Sequence, residues 1–399
     1  MKKHELSTLT DRLSGPASKA WDVGNVASKR MIGGEDIIHL GIGDPDLDTP
    51  AHIKEALFNA VDRGKTHYAP LAGEMHLRDA IAEHARGLYG GKISNENVVV
   101  CNGAQGAIFA TFQCICETGD EVIVLEPFYS PYPAVVTAGG AKMVTVALNR
   151  EEDYRLDMDK IRGVVTGKTK AILINSPSNP AGTVFDEESV NEIARFCYEN
   201  NIWLVADEVY WSLCFDRNHI SPYGFEKYRE TTIVVNSLSK SHAMTGWRLG
   251  WAIGPINFIK SMTDYNQAAQ FGINQFVQNA AITALKDTST IDQFNALFKS
   301  RRDAFCEGLR KSNHLIFSTP RGGMFVLLDI SSTGLSGKEF AEYLLDEEKV
   351  AVVPGFGFGQ SVENTVRIGY LCDEERLTDA ASRIVRFAEK IVNENYQVI

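Results

Sequence analysis

This sequence predicts an α/β fold, with a mostly parallel sheet of seven strands flanked by helices and a smaller α+β domain after it. Three observations carry the expectation. Seven short apolar runs fall between residues 97 and 254, amphipathic stretches separate several of them, and the texture changes near residue 290. Most of the runs are continuously apolar, as strands buried on both faces should be. Strands alternating with helical patterns build parallel sheets with helices on both faces.

Taken in order, residues 1–45 hold too few strong patterns to form a domain. They are expected to pack on the smaller domain or on a partner subunit. Residues 46–290 form the large domain. Its strands are read at NVVV (97–100), EVIVLE (121–126), KMVTVAL (142–148), AILIN (171–175), IWLVAD (202–207), TIVVN (232–236) and LGWAIG (249–254). Within 189–199, Val190, Ile193, Phe196 and Cys197 recur at helical spacing. Residues 291–399 read as the smaller domain: a helix at 291–312, GGMFVLLDI, a helix at 337–347, TVRIGY and a final helix. In that last helix Leu377, Ala381, Ile384, Phe387 and Ile391 form one apolar stripe.

Bulk properties narrow the function classes. A chain of 399 residues exceeds the size at which one core usually stops growing. With 44% hydrophobic and 23% charged residues, disordered and fibrous classes are disfavoured. A net charge of −11 argues against nonspecific binding to nucleic acid or anionic membranes. No apolar run approaches the ~18 residues of a membrane span, and MKKHELSTLTDRL lacks the apolar segment of a secretory signal. The seven cysteines are scattered without metal-binding spacing, which reads as reduced thiols in a cytoplasmic protein.

Ligands of open α/β sheets bind beyond the carboxyl ends of the strands. Five predicted strand ends carry polar or glycine-rich groups: NGAQGA, EPFYSPYP, NSPSNPAG, DEVY and NSLSK. Most lysines are solvated surface residues. Lys240, however, sits at a strand end among serines, with Arg248 eight residues on. Desolvation and a neighbouring cation both favour the neutral amine, which condenses with aldehydes. Gly103, Ala104 and Gln105 open a helix whose N–H groups and dipole suit an anion. Alone this is an ordinary strand–helix turn; with Ser237, Ser239 and Arg248 it becomes a phosphate cup. Asp207 ends an apolar run, where an unpaired charge is costly. It reads either as a cap or ion-pair partner, or as the partner of a protonated heteroaromatic nitrogen. Tyr210 and Asn179 suit a ring phenolate oxygen, and Tyr129 could stack on the ring, although plain packing is the commoner use of such an aromatic. Lysine, phosphate cup and carboxylate together describe pyridoxal 5′-phosphate.

At this point the sequence resembles the class I/II aminotransferases of fold type I, the aspartate aminotransferase-like enzymes. LGIGDPDLDTP, HYAPLAGEMHLRDAIA, NGAQGA, NSPSNPAGTV, ADEVY, SLSKSHAMTGWRLGW and VRIGY follow the family's order over about residues 40–370. The resemblance implies that Lys240 holds the cofactor's aldehyde and moves the substrate α-proton. It implies that Asp207 pairs with the ring nitrogen, and that Asn179 and Tyr210 bond the ring oxygen. Ser237, Ser239, Arg248 and Gly103–Ala104–Gln105 would hold the phosphate. Tyr68 would reach the phosphate of a neighbouring subunit, which implies a homodimer. Arg367 would clamp the substrate α-carboxylate, and the Gly43 backbone would approach the substrate. The chain departs from the family pattern at Tyr129, where aspartate-specific relatives often carry tryptophan, and at Ala181, where NPTG reads NPAG. Within the family, AWDV, NSLSKSHAMTGWR and GGMFVLLDISSTGLSGKEFA are similar to arginine–pyruvate aminotransferases. Arginine as donor and pyruvate as acceptor are therefore expected. The alternatives are a β-elimination lyase on the same cofactor and an aspartate or aromatic amino acid:2-oxoglutarate aminotransferase. TGKTK lacks the leading glycine of a P-loop, since Arg162 stands there. No zinc or other metal motif is present.

Overall fold

The computed structural model describes residues 6–394. The first five residues of the segment read as lacking a signal, and the last five of the smaller domain, lie outside the described residues. Among the described residues twelve strands run in chain order: β1 Ile38–His39, β2 Val98–Asn102, β3 Glu121–Glu126, β4 Lys142–Ala147, β5 Thr169–Asn175, β6 Trp203–Asp207, β7 Thr232–Ser237, β8 Leu249–Ile253, β9 Phe325–Asp329, β10 Val350–Ala351, β11 Val353–Pro354 and β12 Thr365–Gly369. All seven apolar runs are strands of one sheet, in the order β2-β8-β7-β6-β5-β3-β4. Every pairing from β7 through to β4 is parallel, and β8 alone runs against its two neighbours.

The continuous apolar character of the runs has a direct cause. Val98 and Val100 face one apolar cluster while Val99 and Cys101 face another, and Ile172 and Ile174 are divided in the same way from Ala171 and Leu173. With both faces covered, alternation has no reason to appear. At the sheet's edge β4 has only Val146 fully buried. Between β5 and β6 the helix Glu187–Glu199 buries Val190, Ile193 and Cys197, and Asp186 caps it by accepting the Ser189 N–H.

The second core gathers around the three-stranded antiparallel sheet β11-β12-β9. The helices Thr288–Leu309, Gly337–Glu348 and Glu374–Asn393 pack here, and the whole stripe from Leu377 to Ile391 is buried. Ser336 and Glu339 form a capping box at the start of the middle helix. The short β1 pairs in parallel with β10, Ile38 opposite Val350, and so ties residues near the N-terminus to this core. Among the described residues no helix is long and apolar enough to cross a membrane.

Asn175, Asp207 and Ser237 end three adjacent parallel strands, and Asn102 ends β2 immediately before the helix Gly103–Ile115. The fold therefore delivers four separate polar segments to one edge of the large sheet, while β12 approaches from the second core.

Candidate active site

A cavity of about 350 Å³ opens at that edge. It is lined by Gly43, Ala104, Gln105, Tyr129 and Asn179, by Asp207, Tyr210, Ser237 and Ser239, and by Lys240, Arg248 and Arg367. These residues span more than 300 positions of sequence, and only the strand order brings them together. Gly103 sits immediately behind Arg248, described below. Tyr68 does not line the cavity. It is 81% exposed and packs edge-to-face on Phe271, with ring centroids 5.1 Å apart.

The Lys240 ammonium donates to the Gly43 carbonyl. Burial pulls its pKa down to about 8, with Arg367 and Arg248 adding to the effect and Asp44 opposing it. A lysine near 8 is neutral in a useful fraction at ordinary pH. Aldehyde condensation at this amine should accelerate as pH rises through about 8 and then level off. Stopped-flow absorbance with the cofactor-stripped chain checks this; a rate still climbing near pH 10 would mean an ordinary lysine.

Asp207 is buried at the end of β6. The Tyr132 hydroxyl donates to its Oδ2 at 2.7 Å and the Val209 N–H to its Oδ1 at 3.3 Å. Burial nevertheless outweighs both and pushes the carboxyl up to about 6, with Glu208 adding to it. In an apolar pocket such a group gains from a positive partner. Burial likewise raises the Tyr210 phenol above its ordinary range, against Arg367 and Asn179, which pull it down.

The anion end is built on close approaches. Gly103 takes φ +70°, and a Cβ there would lie 2.5 Å from Arg248 Nη2. Gly250 on β8 lies against the helix start, where a Cβ would meet the Ala104 nitrogen at 2.5 Å. Arg248 itself adopts φ +52°, a left-handed conformation that a non-glycine residue seldom takes. It is held by its own donation to the Thr245 carbonyl at 2.7 Å. The helix Gly103–Ile115 begins without a side-chain cap bond, so its first N–H groups are open to a ligand.

Arg367 is 1% exposed. It donates to Asn179 Oδ1 at 3.1 Å and to the Gly41 carbonyl at 2.6 Å. Its guanidinium carbon lies 4.1 Å from the Phe325 ring centroid, 5.0 Å from Phe358 and 5.2 Å from Trp21. Burial brings its pKa down to about 10, and Nε has no partner. Among the described residues no carboxylate makes an ion pair with it. A buried cation without a counter-ion is costly, and an incoming carboxylate would relieve that cost.

Reading the sequence missed several groups at this site. Tyr132 holds Asp207, Trp21 and Phe358 flank Arg367, and the Asn175 Oδ1 fixes the Asn179 backbone by accepting its N–H at 2.8 Å. Tyr132 and Asn175 carried a signal, since both stand in strand-end segments already picked out, and Trp21 stands in AWDV, singled out by resemblance without a role. Phe358 reaches Arg367 by tertiary packing alone.

An amine with a lowered pKa, a buried carboxylate awaiting a positive partner, an open helix start beside a guanidinium and a second, uncompensated guanidinium all meet in one cavity. This donor set fits pyridoxal 5′-phosphate together with an amino acid. The sequence profile of the family described as aminotransferase class I and II matches residues 35–384. An arginine–pyruvate transaminase of Pseudomonas aeruginosa is 39% identical over 97% of this chain and 99% of its own. An aspartate aminotransferase of Pyrococcus horikoshii is 36% identical over 89% and 91%. The solved aspartate aminotransferase of Thermus thermophilus with maleate superposes with a TM-score of 0.92 at 36% identity, covering 96% of this chain and all of that one. The chain belongs to the class I and II aminotransferases, transaminases of fold type I that work with pyridoxal 5′-phosphate.

Proposed function

We propose that this aminotransferase moves the α-amino group of L-arginine to pyruvate, acting as a homodimer in the cytoplasm. The observation that carries the reading of the site is the pairing of Lys240 with Arg367 in one cavity: a nucleophilic amine beside a buried, unpaired guanidinium.

In this reading Gly103, Ala104, Gln105, Ser237, Ser239 and Arg248 grip the cofactor phosphate. Tyr129 stacks on the ring, Asp207 faces the ring nitrogen, and Asn179 and Tyr210 face the ring oxygen. When bound, the cofactor supplies an aldehyde and an electron-withdrawing ring that stabilises negative charge at the substrate α-carbon. Arg367 takes the substrate α-carboxylate in a two-pronged contact, with Gly43 alongside, and thereby sets which α-bond faces the ring. Lys240 Nζ would take the proton from the substrate α-carbon and hand it to the carbon that carried the aldehyde, so that the amine ends as it began. The donor leaves as a 2-oxo acid, and a second oxo acid accepts the amino group by the reverse sequence.

The choice of substrates is supported by charge. The cations lining the cavity are Lys240, Arg248 and Arg367, and each already has a task. Among the described residues no further guanidinium lines the cavity to take a second carboxylate, which favours a monocarboxylic acceptor over 2-oxoglutarate or oxaloacetate. The match to the arginine–pyruvate transaminase along nearly its full length supports the donor. Tyr68, exposed and outside its own chain's cavity, is suited to reach a partner's phosphate. The cysteines are all free, in keeping with a reducing compartment. The β1–β10 pairing supports placing 1–45 with the smaller domain of 291–399, against a large domain of 46–290.

A panel of L-amino acids against pyruvate, 2-oxoglutarate and oxaloacetate tests the assignment. Arginine with pyruvate should give the highest kcat/KM. A preference for aspartate or an aromatic donor with 2-oxoglutarate would replace it. Release of ammonia and pyruvate from a cysteine conjugate with no acceptor present would mark a lyase.

A further inference from the structure

Next to Asp207 on β6 stands a second buried carboxylate that the reaction as described does not use. Glu208 is 1% exposed and turns away from the cavity, which it does not line. Two hydroxyl donors from different parts of the chain converge on it. Ser221 Oγ donates to Oε1 at 2.5 Å, and the Tyr89 hydroxyl, at the end of the helix Met75–Tyr89, donates to Oε2 at 2.8 Å. His219 Nε2 lies 3.0 Å from the same Oε2 but outside hydrogen-bond geometry.

Removing a carboxylate from water is expensive unless its oxygens are bonded, and a hydroxyl on each oxygen supplies those bonds. Around it, the groups that its charge pushes up are Asp207, Tyr89 and Cys214. No lysine or arginine makes an ion pair with it among the described residues. Apart from His219, no basic side chain stands against Glu208 there, and its nearest acidic neighbour along the chain is the carboxylate that faces the cavity. In this low-dielectric setting a fixed charge acts over several ångströms.

We propose that Glu208 is a positioning residue for the cofactor, acting through Asp207: its negative charge, held by the hydroxyls of Ser221 and Tyr89, strengthens the hold of Asp207 on a protonated ring nitrogen. This rests on the reading that Asp207 faces that nitrogen. Two carboxylates, one in contact and one behind it, then share the stabilisation of a single positive charge. The upward push that Glu208 exerts on the Asp207 carboxyl has the same sign.

The test compares two cofactors on the full-length chain: pyridoxal phosphate, and its carbocyclic analogue in which a C–H replaces the ring nitrogen. Dissociation constants are measured for the parent, Asp207→Asn and Glu208→Gln. Glu208→Gln should weaken pyridoxal phosphate by about tenfold and leave the analogue unchanged, because only the former carries the nitrogen charge. Asp207→Asn should show the same selectivity with a larger loss. If Asp207→Asn weakens both cofactors equally, the reading of Asp207 itself falls. If Asp207→Asn is selective and Glu208→Gln is not, only the inference about Glu208 falls. Should Glu208→Gln fail to fold, Ser221→Ala serves instead. It removes one of the two hydroxyls that fix the carboxylate behind Asp207, so its preference for pyridoxal phosphate over the analogue should fall several-fold. An unchanged preference would overturn the proposal.

Discussion

Replacing Lys240 by alanine is expected to cut steady-state transamination by roughly ten-thousand-fold or more, since both the amine that holds the aldehyde and the base that moves the α-proton are lost. The phosphate grip proposed at Gly103–Gln105, Ser237, Ser239 and Arg248 does not involve that amine. Absorbance of the isolated variant should therefore show cofactor still bound, with a spectrum no longer that of the parent. A primary amine added to the buffer should restore part of the proton-transfer rate. Retained turnover in Lys240→Ala would refute the role given to this side chain.

The second large effect is expected at Arg367. Its guanidinium is enclosed by Phe325, Phe358 and Trp21, and its hydrogen-bond partners on the protein are all uncharged. Arg367→Met should lower kcat/KM by roughly a thousandfold, as expected when a buried charge-assisted contact to a carboxylate is removed. The folded protein should not suffer in proportion. A buried cation without a counter-ion destabilises the ligand-free fold, and an apolar side chain of similar length is often neutral or stabilising in such a place. Thermal unfolding of the cofactor-loaded variant, followed beside kinetics, separates the two effects. A large drop in Tm with little change in KM would make Arg367 a structural residue. Lysine at 367 should recover little, because it keeps the charge but loses the planar fork.

The large sheet was legible because most of its runs are apolar on two faces and five of them end on polar or glycine-rich segments; only the edge strand β4 exposes one side. No competing pattern of that length exists in the segments concerned. β9 and β12 were likewise visible as GGMFVLLDI and TVRIGY. The two-residue strands β1, β10 and β11 were not legible: a pairing such as Ile38 with Val350 joins residues more than 300 apart and is too short for any period to register. The reversed direction of β8 was hidden for a similar reason, since its run LGWAIG is as apolar as those of its parallel neighbours.

The site divides along the same line. Asp207 ends its strand and Lys240, Asn179 and Tyr210 follow within four residues of theirs, so a strand-end search reaches them; Arg248, just before β8, was picked out by its spacing from Lys240. Arg367 lies within a strand of the second core, and only the family resemblance singled it out. Its aromatic surround of Trp21, Phe325 and Phe358 is assembled from three distant segments. The buried Glu208 was visible in DEVY but carried no sign of its donors, because Tyr89 and Ser221 approach it from a helix and a loop that no local pattern links.

Every role given to the site depends on the Lys240 amine, rather than any other group, carrying the cofactor. Borohydride reduction of the cofactor-loaded protein, followed by proteolysis and mass analysis of the peptides, tests it directly. One pyridoxyl group fixed on Lys240 is the predicted result. A stable adduct on a different lysine, or none at all, would contradict it.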